Sequence, residues 1–282
     1  MKKTGCFFFS FIPMLLAVGI QIVATLFLFG IYLLIAVFSA SHVNFTLSNL
    51  LYTLTDSDFS TVLMIIYSLI LICSYGIWYY HSCGGNFLPN ARKIFQPCKL
   101  AGVLLLVPGM QILSGYLISV LAAIFPSWLE AYEKLLEAAG LDETITFAML
   151  VYSVFLAPVG EELIFRGVTM RIARRHFSFW FANLLQAFLF GLYHMNMIQG
   201  CYAFCLGLIL GYVCERGGSI YYSMFLHFLF NIWGTLISTH LSYGNPPLSF
   251  VFFLIIAVVL TVSGISIFRV GMRKKPLPDC VC

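Results

Sequence analysis

The sequence predicts an all-α, polytopic membrane protein with about eight transmembrane helices and one interfacial helix. Hydrophobic residues make up 61% of its 282 residues and charged residues only 9%, whereas soluble domains carry about 25% charged residues. The mean hydropathy is +0.97. We expect a single integral-membrane domain over residues 1–282, since no internal repeat divides the chain.

The predicted spans are apolar stretches close to the ~20 residues that cross a bilayer as a helix. They lie at roughly 8–38, 61–80, 101–125, 145–168, 177–195, 200–214, 219–238 and 248–268. The first has a basic start and an apolar run that is too long for the core of a signal peptide, which favours a retained signal anchor.

Basic residues test this count, because Lys and Arg concentrate in cytoplasmic loops. With the amino terminus inside, thirteen of the fifteen basic residues fall on one side of an eight-helix chain; they are Lys2, Lys3, Arg92, Lys93, Lys99, Arg171, Arg174, Arg175, Arg216, Arg269, Arg273, Lys274 and Lys275. We therefore expect a multi-pass protein of the cell membrane with both termini cytoplasmic. Membrane orientation accounts for the net charge of +4, so no nucleic-acid partner is expected.

The predicted interfacial helix follows Trp128. Apolar residues recur there at helical spacing among Glu130, Glu133 and Glu137, a pattern typical of an amphipathic helix.

Two adjacent glutamates, Glu161 and Glu162, lie in the fourth apolar segment. Ionisable groups at membrane depth are costly and indicate a functional site. Glu162 and Arg166 are four residues apart, so they can form an ion pair on one helical face. Glu161 is turned about 100° away, which leaves its carboxylate available as a general base.

Polar residues in two further segments complete the candidate site. His194 closes the run from Phe190, and an imidazole opposite Glu161 could polarise a water molecule. His227 and Asn231 share a helical face and could donate hydrogen bonds to an oxyanion.

These residues resemble three motifs of the CAAX-protease and bacteriocin-processing intramembrane proteases, a family that includes the Ras-converting CAAX endopeptidases. The motifs are Glu-Glu-x-x-x-Arg, Phe-x-x-x-His and His-x-x-x-Asn, matched at 161–166, 190–194 and 227–231. The resemblance covers about residues 145–240, which we expect to form the catalytic core. It implies that Glu161 activates water with help from His194, that His227 and Asn231 stabilise the oxyanion, and that Glu162 and Arg166 form a structural pair.

The resemblance also implies the reaction, hydrolysis of a peptide bond. The expected substrate is a membrane-associated peptide or protein, either a prenylated CAAX protein or a peptide precursor, as in bacteriocin processing. Membrane lipid is the other expected partner.

The metal requirement is predicted from the ligand types. Two histidines and one glutamate could bind zinc as in open catalytic sites, in which case the ligands would be Glu161, His194 and His227. The soluble zinc-protease pattern His-Glu-x-x-His is absent, and Asn231 suits an oxyanion better than zinc. The sequence therefore favours a metal-independent mechanism with no cofactor.

The sequence leaves two other functions open. A non-catalytic bacteriocin self-immunity or peptide-binding membrane protein could keep the same residues. A small transporter would also carry polar groups at mid-membrane, although no second polar set is found in the first three segments.

Overall fold

The computed structural model describes residues 2–39, 57–83, 96–138, 145–237 and 247–271, and every regular element in these ranges is a helix. We number the helices in chain order. They are α1 (Lys3–Phe9), α2 (Ile12–Ser39), α3 (Ser57–Ser82), α4 (Pro97–Ile124), α5 (Pro126–Ala138), α6 (Phe147–Arg174), α7 (Phe179–Tyr193), α8 (Met197–Gly217), α9 (Ile220–Ile237) and α10 (Pro247–Val270). The predicted all-α membrane fold is confirmed.

Seven helices of the described residues are long and apolar enough to cross a membrane; they include parts or all of α2, α3, α4, α6, α8, α9 and α10. The eighth predicted span corresponds to α7, which has 15 residues. At 1.5 Å per residue, α7 is about 22 Å long and falls short of the ~30 Å hydrocarbon core.

Helix α5 is the predicted interfacial helix. It is strongly amphipathic and has no buried residue. On its polar side Lys134 donates to the Glu130 carboxylate at 2.7 Å, and both side chains are mostly exposed. The ring of Tyr132 contacts that of Tyr202, with centroids 6.4 Å apart, so α5 lies against α8.

Local signals set the ends of the helices that form the core. Side-chain oxygens of Thr146, Ser178, Asn196 and Ser219 accept hydrogen bonds from the first turns of α6, α7, α8 and α9, as N-cap residues commonly do. Gly218 ends α8 with φ = 72°, a left-handed conformation that glycine adopts without strain.

Helix α6 is continuous but contains two π-turns, Tyr152–Leu156 and Leu163–Thr169. Each π-turn adds a residue to a helical turn and rotates the side chains beyond it, and such turns are frequent at functional sites. Glu161 and Glu162 lie between the two. The side chains of the second π-turn are all buried. The segment that directly follows Glu161 and Glu162 is therefore packed inside the bundle.

Helices α7 and α8 form a tight antiparallel hairpin with glycine at the contact. A Cβ atom added to Gly191 would lie 2.6 Å from the Gly200 carbonyl oxygen and 3.2 Å from the Phe204 Cβ. The Cβ of a residue at position 207 would meet Ala187 at 3.1 Å. Small residues allow helix backbones to approach in this way, and the close contact fixes the turn that contains His194.

We expect Gly191→Ala to destabilise the protein by about 1–3 kcal/mol, because the new methyl group must push α7 and α8 apart. The measurement is the thermal unfolding midpoint of purified protein in detergent. Gly76→Ala is the matched control, since nothing lies within 4 Å of a Cβ at Gly76. Equal midpoints for both variants would contradict this packing.

Candidate active site

The ion pair of Glu162 and Arg166 is fully enclosed. Arg166 Nη1 donates to Glu162 Oε1 at 2.9 Å, and both side chains are 0% exposed. The guanidinium also lies over the Phe190 ring, 4.5 Å from its centroid, and Nη2 reaches the Gly207 carbonyl at 3.4 Å. Arg166 thus neutralises Glu162 and ties α6 to α7 and α8.

His227 on α9 links the two glutamates. Its Nδ1 lies 3.0 Å from Glu162 Oε1, and its Nε2 lies 3.6 Å from Glu161 Oε2. Because the Arg166-paired carboxylate of Glu162 can only accept, Nδ1 of His227 is the donor. The sequence predicted Glu162 as the partner of Arg166, and the structure shows that the same oxygen also orients His227.

Glu161 is placed differently from its neighbour. Its side chain is 16% exposed, and 3.6 Å is too long for a direct hydrogen bond to His227. It interacts electrostatically with His194 and with four tyrosine hydroxyls. The tyrosines are Tyr67, Tyr152, Tyr193 and Tyr202. Among the six predicted site residues, Glu161 has the carboxylate that is open to a reactant.

His194 lies at the carboxyl end of α7, where it is half-buried. Its Nδ1 is 2.8 Å from the Phe190 carbonyl oxygen. A carbonyl only accepts, so Nδ1 carries the proton and Nε2 presents a lone pair. The Phe190 ring packs edge-on against His194 at 4.8 Å and against His227 at 5.8 Å, which holds both imidazoles around one aromatic ring.

Asn231 lies one turn beyond His227 on α9 and is half-buried. Its Nδ2 donates to the Ser153 carbonyl oxygen at 2.8 Å, a group in the first π-turn of α6. One amide N–H is therefore used within the protein, and the other N–H is left for a ligand. His227 and Asn231 were predicted to donate in the same direction. The structure shows that one N–H of Asn231 instead donates to a backbone carbonyl of the first π-turn and so links α9 to α6.

The alternative zinc ligands do not form a three-donor cluster. Among the residues that the structure describes, no group of three His, Cys, Asp or Glu side chains has an arrangement that could hold a metal ion. Two of the four imidazole nitrogens of His194 and His227 are engaged in hydrogen bonds. We derive no step through a metal.

Phe190 is a neighbour of the site to which the sequence gave no role of its own. It belongs to the second motif, but its ring contacts with Arg166 and the two histidines depend on helix packing.

Comparison with known families supports the resemblance drawn from the three motifs. Residues 143–233 match the family model described as type II CAAX prenyl endopeptidase Rce1-like. This segment contains all six predicted site residues, and the family resemblance is confirmed over it. No curated protein and no solved structure matches the chain. The protein is thus a multi-pass membrane protein in which residues 143–233 are similar to the Rce1-like family.

Proposed function

We propose that the protein is an intramembrane endopeptidase that hydrolyses a peptide bond of a membrane-associated substrate with water activated by Glu161. The observation that carries this proposal is the His227 ring, which is bound to the neutralised Glu162 on one side and faces the open carboxylate of Glu161 on the other. The two adjacent carboxylates therefore have different surroundings. Such a difference allows one carboxylate to act as a base while the other stays in an ion pair.

Glu161 has the surroundings of a general base. The buried positive charge of Arg166 is matched by Glu162 at 2.9 Å, so Glu161 is not held in that pair. Its carboxylate removes a proton from water as the water oxygen attacks the carbonyl carbon of the peptide. His194 assists, because the lone pair on its Nε2 accepts a hydrogen bond from the second O–H of the water.

Collapse of the tetrahedral intermediate completes the hydrolysis. Negative charge develops on the former carbonyl oxygen, and preorganised donors stabilise it. The remaining N–H of Asn231 is one such donor. His227 already donates from Nδ1 to Glu162, so it can donate from Nε2 only when both ring nitrogens are protonated. When the C–N bond breaks, Glu161 returns its proton to the leaving amine, which yields a carboxylic acid and an amine.

The match of residues 143–233 to the family model and the membrane location support the proposed class of substrate. A prenylated CAAX protein or a peptide precursor, as in bacteriocin processing, could present a peptide bond at the depth of Glu161. From the distribution of basic residues we infer that both termini lie on the cytoplasmic side of the cell membrane.

The test is cleavage by the purified full-length protein in lipid nanodiscs. A farnesylated CAAX peptide, the same peptide without the lipid, and a panel of bacteriocin precursors are incubated separately, and products are identified by mass spectrometry. We expect cleavage at one internal bond of at least one of these membrane-associated peptides. Binding without cleavage of any of them would favour a peptide-binding or self-immunity protein.

Glu162→Gln tests the orienting role of Glu162. We expect kcat to fall about 10²-fold, within the range for loss of acid–base participation, because the neutral amide holds the His227 ring less firmly. Arg166 also loses its counter-charge, so rates are compared per folded molecule at low temperature. A folded Glu162→Gln protein with wild-type kcat would show that the contact at 3.0 Å has no role in the reaction.

A further inference from the structure

A glutamine, Gln111, lies at the middle of α4, which is outside the residues that match the family model. Its amide nitrogen Nε2 lies 2.5 Å from the carbonyl oxygen of Phe230 on α9. We propose that the other end of this amide, the oxygen Oε1, accepts a hydrogen bond from a backbone N–H of the bound peptide. Gln111 is then a substrate-binding residue, a role that rests on the peptide substrate of the proposed function.

The contact with Phe230 determines which way the amide points. A carbonyl oxygen only accepts, so the NH₂ group of Gln111 faces Phe230 and Oε1 is the end that remains. This oxygen makes no hydrogen bond with any residue that the structure describes. The corresponding oxygen of Gln186 also lacks a partner but is enclosed, whereas Oε1 of Gln111 does not belong to the enclosed unpaired atoms of the described residues. Gln111 therefore presents an accessible acceptor.

Gly234 shows where this acceptor lies relative to the candidate active site. It follows His227 by seven positions and Asn231 by three, and residues at these spacings share one helical face. A Cβ atom at position 234 would lie 3.3 Å from Nε2 of Gln111 and 4.0 Å from its Oε1. The Gln111 amide thus lies about one turn beyond Asn231, beside a position where α9 has no side chain.

The separation from the reaction centre suits a peptide that lies along α9. Seven residues of helix rise about 10 Å, and His227 is 3.6 Å from Glu161. An extended peptide covers about 10 Å in three residues. A peptide whose scissile bond lies at Glu161 would therefore bring the N–H of a residue about two to four positions away to Gln111.

The membrane gives both groups a reason to pair. An amide without a hydrogen-bond partner is costly in an apolar medium, and polar side chains at membrane depth usually face the bundle interior or a water-filled cavity. A backbone N–H of an extended peptide has the same need, because no water in the hydrocarbon core can satisfy it. Oε1 of Gln111 and the peptide N–H satisfy each other when the substrate is bound.

Peptides with single N-methyl groups test this contact, because each methyl group removes one backbone N–H and leaves the side chains unchanged. The peptide is whichever of the farnesylated CAAX peptide and the bacteriocin precursors binds most tightly, methylated in turn at each backbone nitrogen. It is added to nanodiscs of the Glu161→Gln protein, in which the proposed base is absent, and of the same protein with Gln111→Leu. Fluorescence anisotropy gives each dissociation constant.

We expect one methyl position to weaken binding about 2–10-fold when Gln111 is present, as loss of one hydrogen bond does. The same methyl group should not weaken binding in the Gln111→Leu protein. Gln111 also ties α4 to α9, but loss of that packing would weaken all the peptides equally. Gln21→Leu is the matched control, since Gln21 lies on α2, which packs against α3 and α6, and it should retain the full effect of methylation.

The outcomes separate this inference from the proposed function. Equal effects of methylation in the Gln111→Leu and Gln21→Leu proteins at every position would overturn the role of Gln111, whether or not the wild type cleaves the peptide. One position coupled to Gln111, together with no cleavage by wild type, would keep Gln111 as a peptide-binding residue and overturn the endopeptidase. Absence of binding by every peptide would overturn both proposals.

Discussion

Glu161→Gln is expected to reduce kcat by at least about 10³-fold on any peptide that the wild type cleaves. The amide cannot accept a proton from water, and general-base participation contributes up to about 10⁴-fold. The fold should survive, since Glu161 is not part of the buried ion pair and lies 3.6 Å from His227 Nε2, too far for a direct hydrogen bond. The measurement is the single-turnover rate in nanodiscs, with thermal unfolding recorded on the same sample.

Glu215→Gln is the matched control for this change. Glu215 is also a partly exposed glutamate with a basic partner, Arg174 at 3.0 Å, but it lies at the far end of α8 from His194. Its replacement should leave the rate unaltered. A Glu161→Gln protein with wild-type activity would rule out the proposed base.

Arg166→Met is expected to give the largest loss of stability, about 3–5 kcal/mol, because it leaves the carboxylate of Glu162 buried without a counter-charge. Both side chains of the pair are 0% exposed, and the guanidinium additionally packs on Phe190. The measurement is reversible unfolding in mixed detergent micelles.

Two controls separate charge from packing. The double variant Glu162→Gln/Arg166→Met removes both charges and should recover part of the loss. Lys134→Met breaks an exposed ion pair of the same i,i+4 spacing and should produce no measurable change, since such surface pairs are weak. A loss in Arg166→Met no larger than that in Lys134→Met would contradict the buried pair.

Sequence periodicity predicted the helices well because a lipid-facing segment must be apolar over a length that the bilayer dictates. The interfacial helix was also predicted, since its alternation of glutamates and apolar residues has a helical period. The shortness of α7 was not predicted. The apolar stretch 177–195 predicted a full span, whereas the helix has only 15 residues.

The site residues were predicted by type and spacing, whereas their mutual contacts were not. The i,i+4 rule relates Glu162 to Arg166 within one helix, but no periodicity relates Glu162 to His227, which is 65 residues away. The π-turns depend on packing against neighbouring helices and leave no clear local signal. They therefore hid the contact of Asn231 with the Ser153 carbonyl.

The central claim is that water activated by Glu161 attacks the peptide directly. The most direct measurement is a single turnover of a cleaved peptide in H₂¹⁸O, with a strong chelator present throughout, followed by mass spectrometry of the new carboxyl group. We expect one ¹⁸O atom in that carboxylate and an undiminished rate. An unlabelled carboxylate would indicate attack by a protein carboxylate in place of water, and loss of the reaction with chelator would move the mechanism to a bound metal ion.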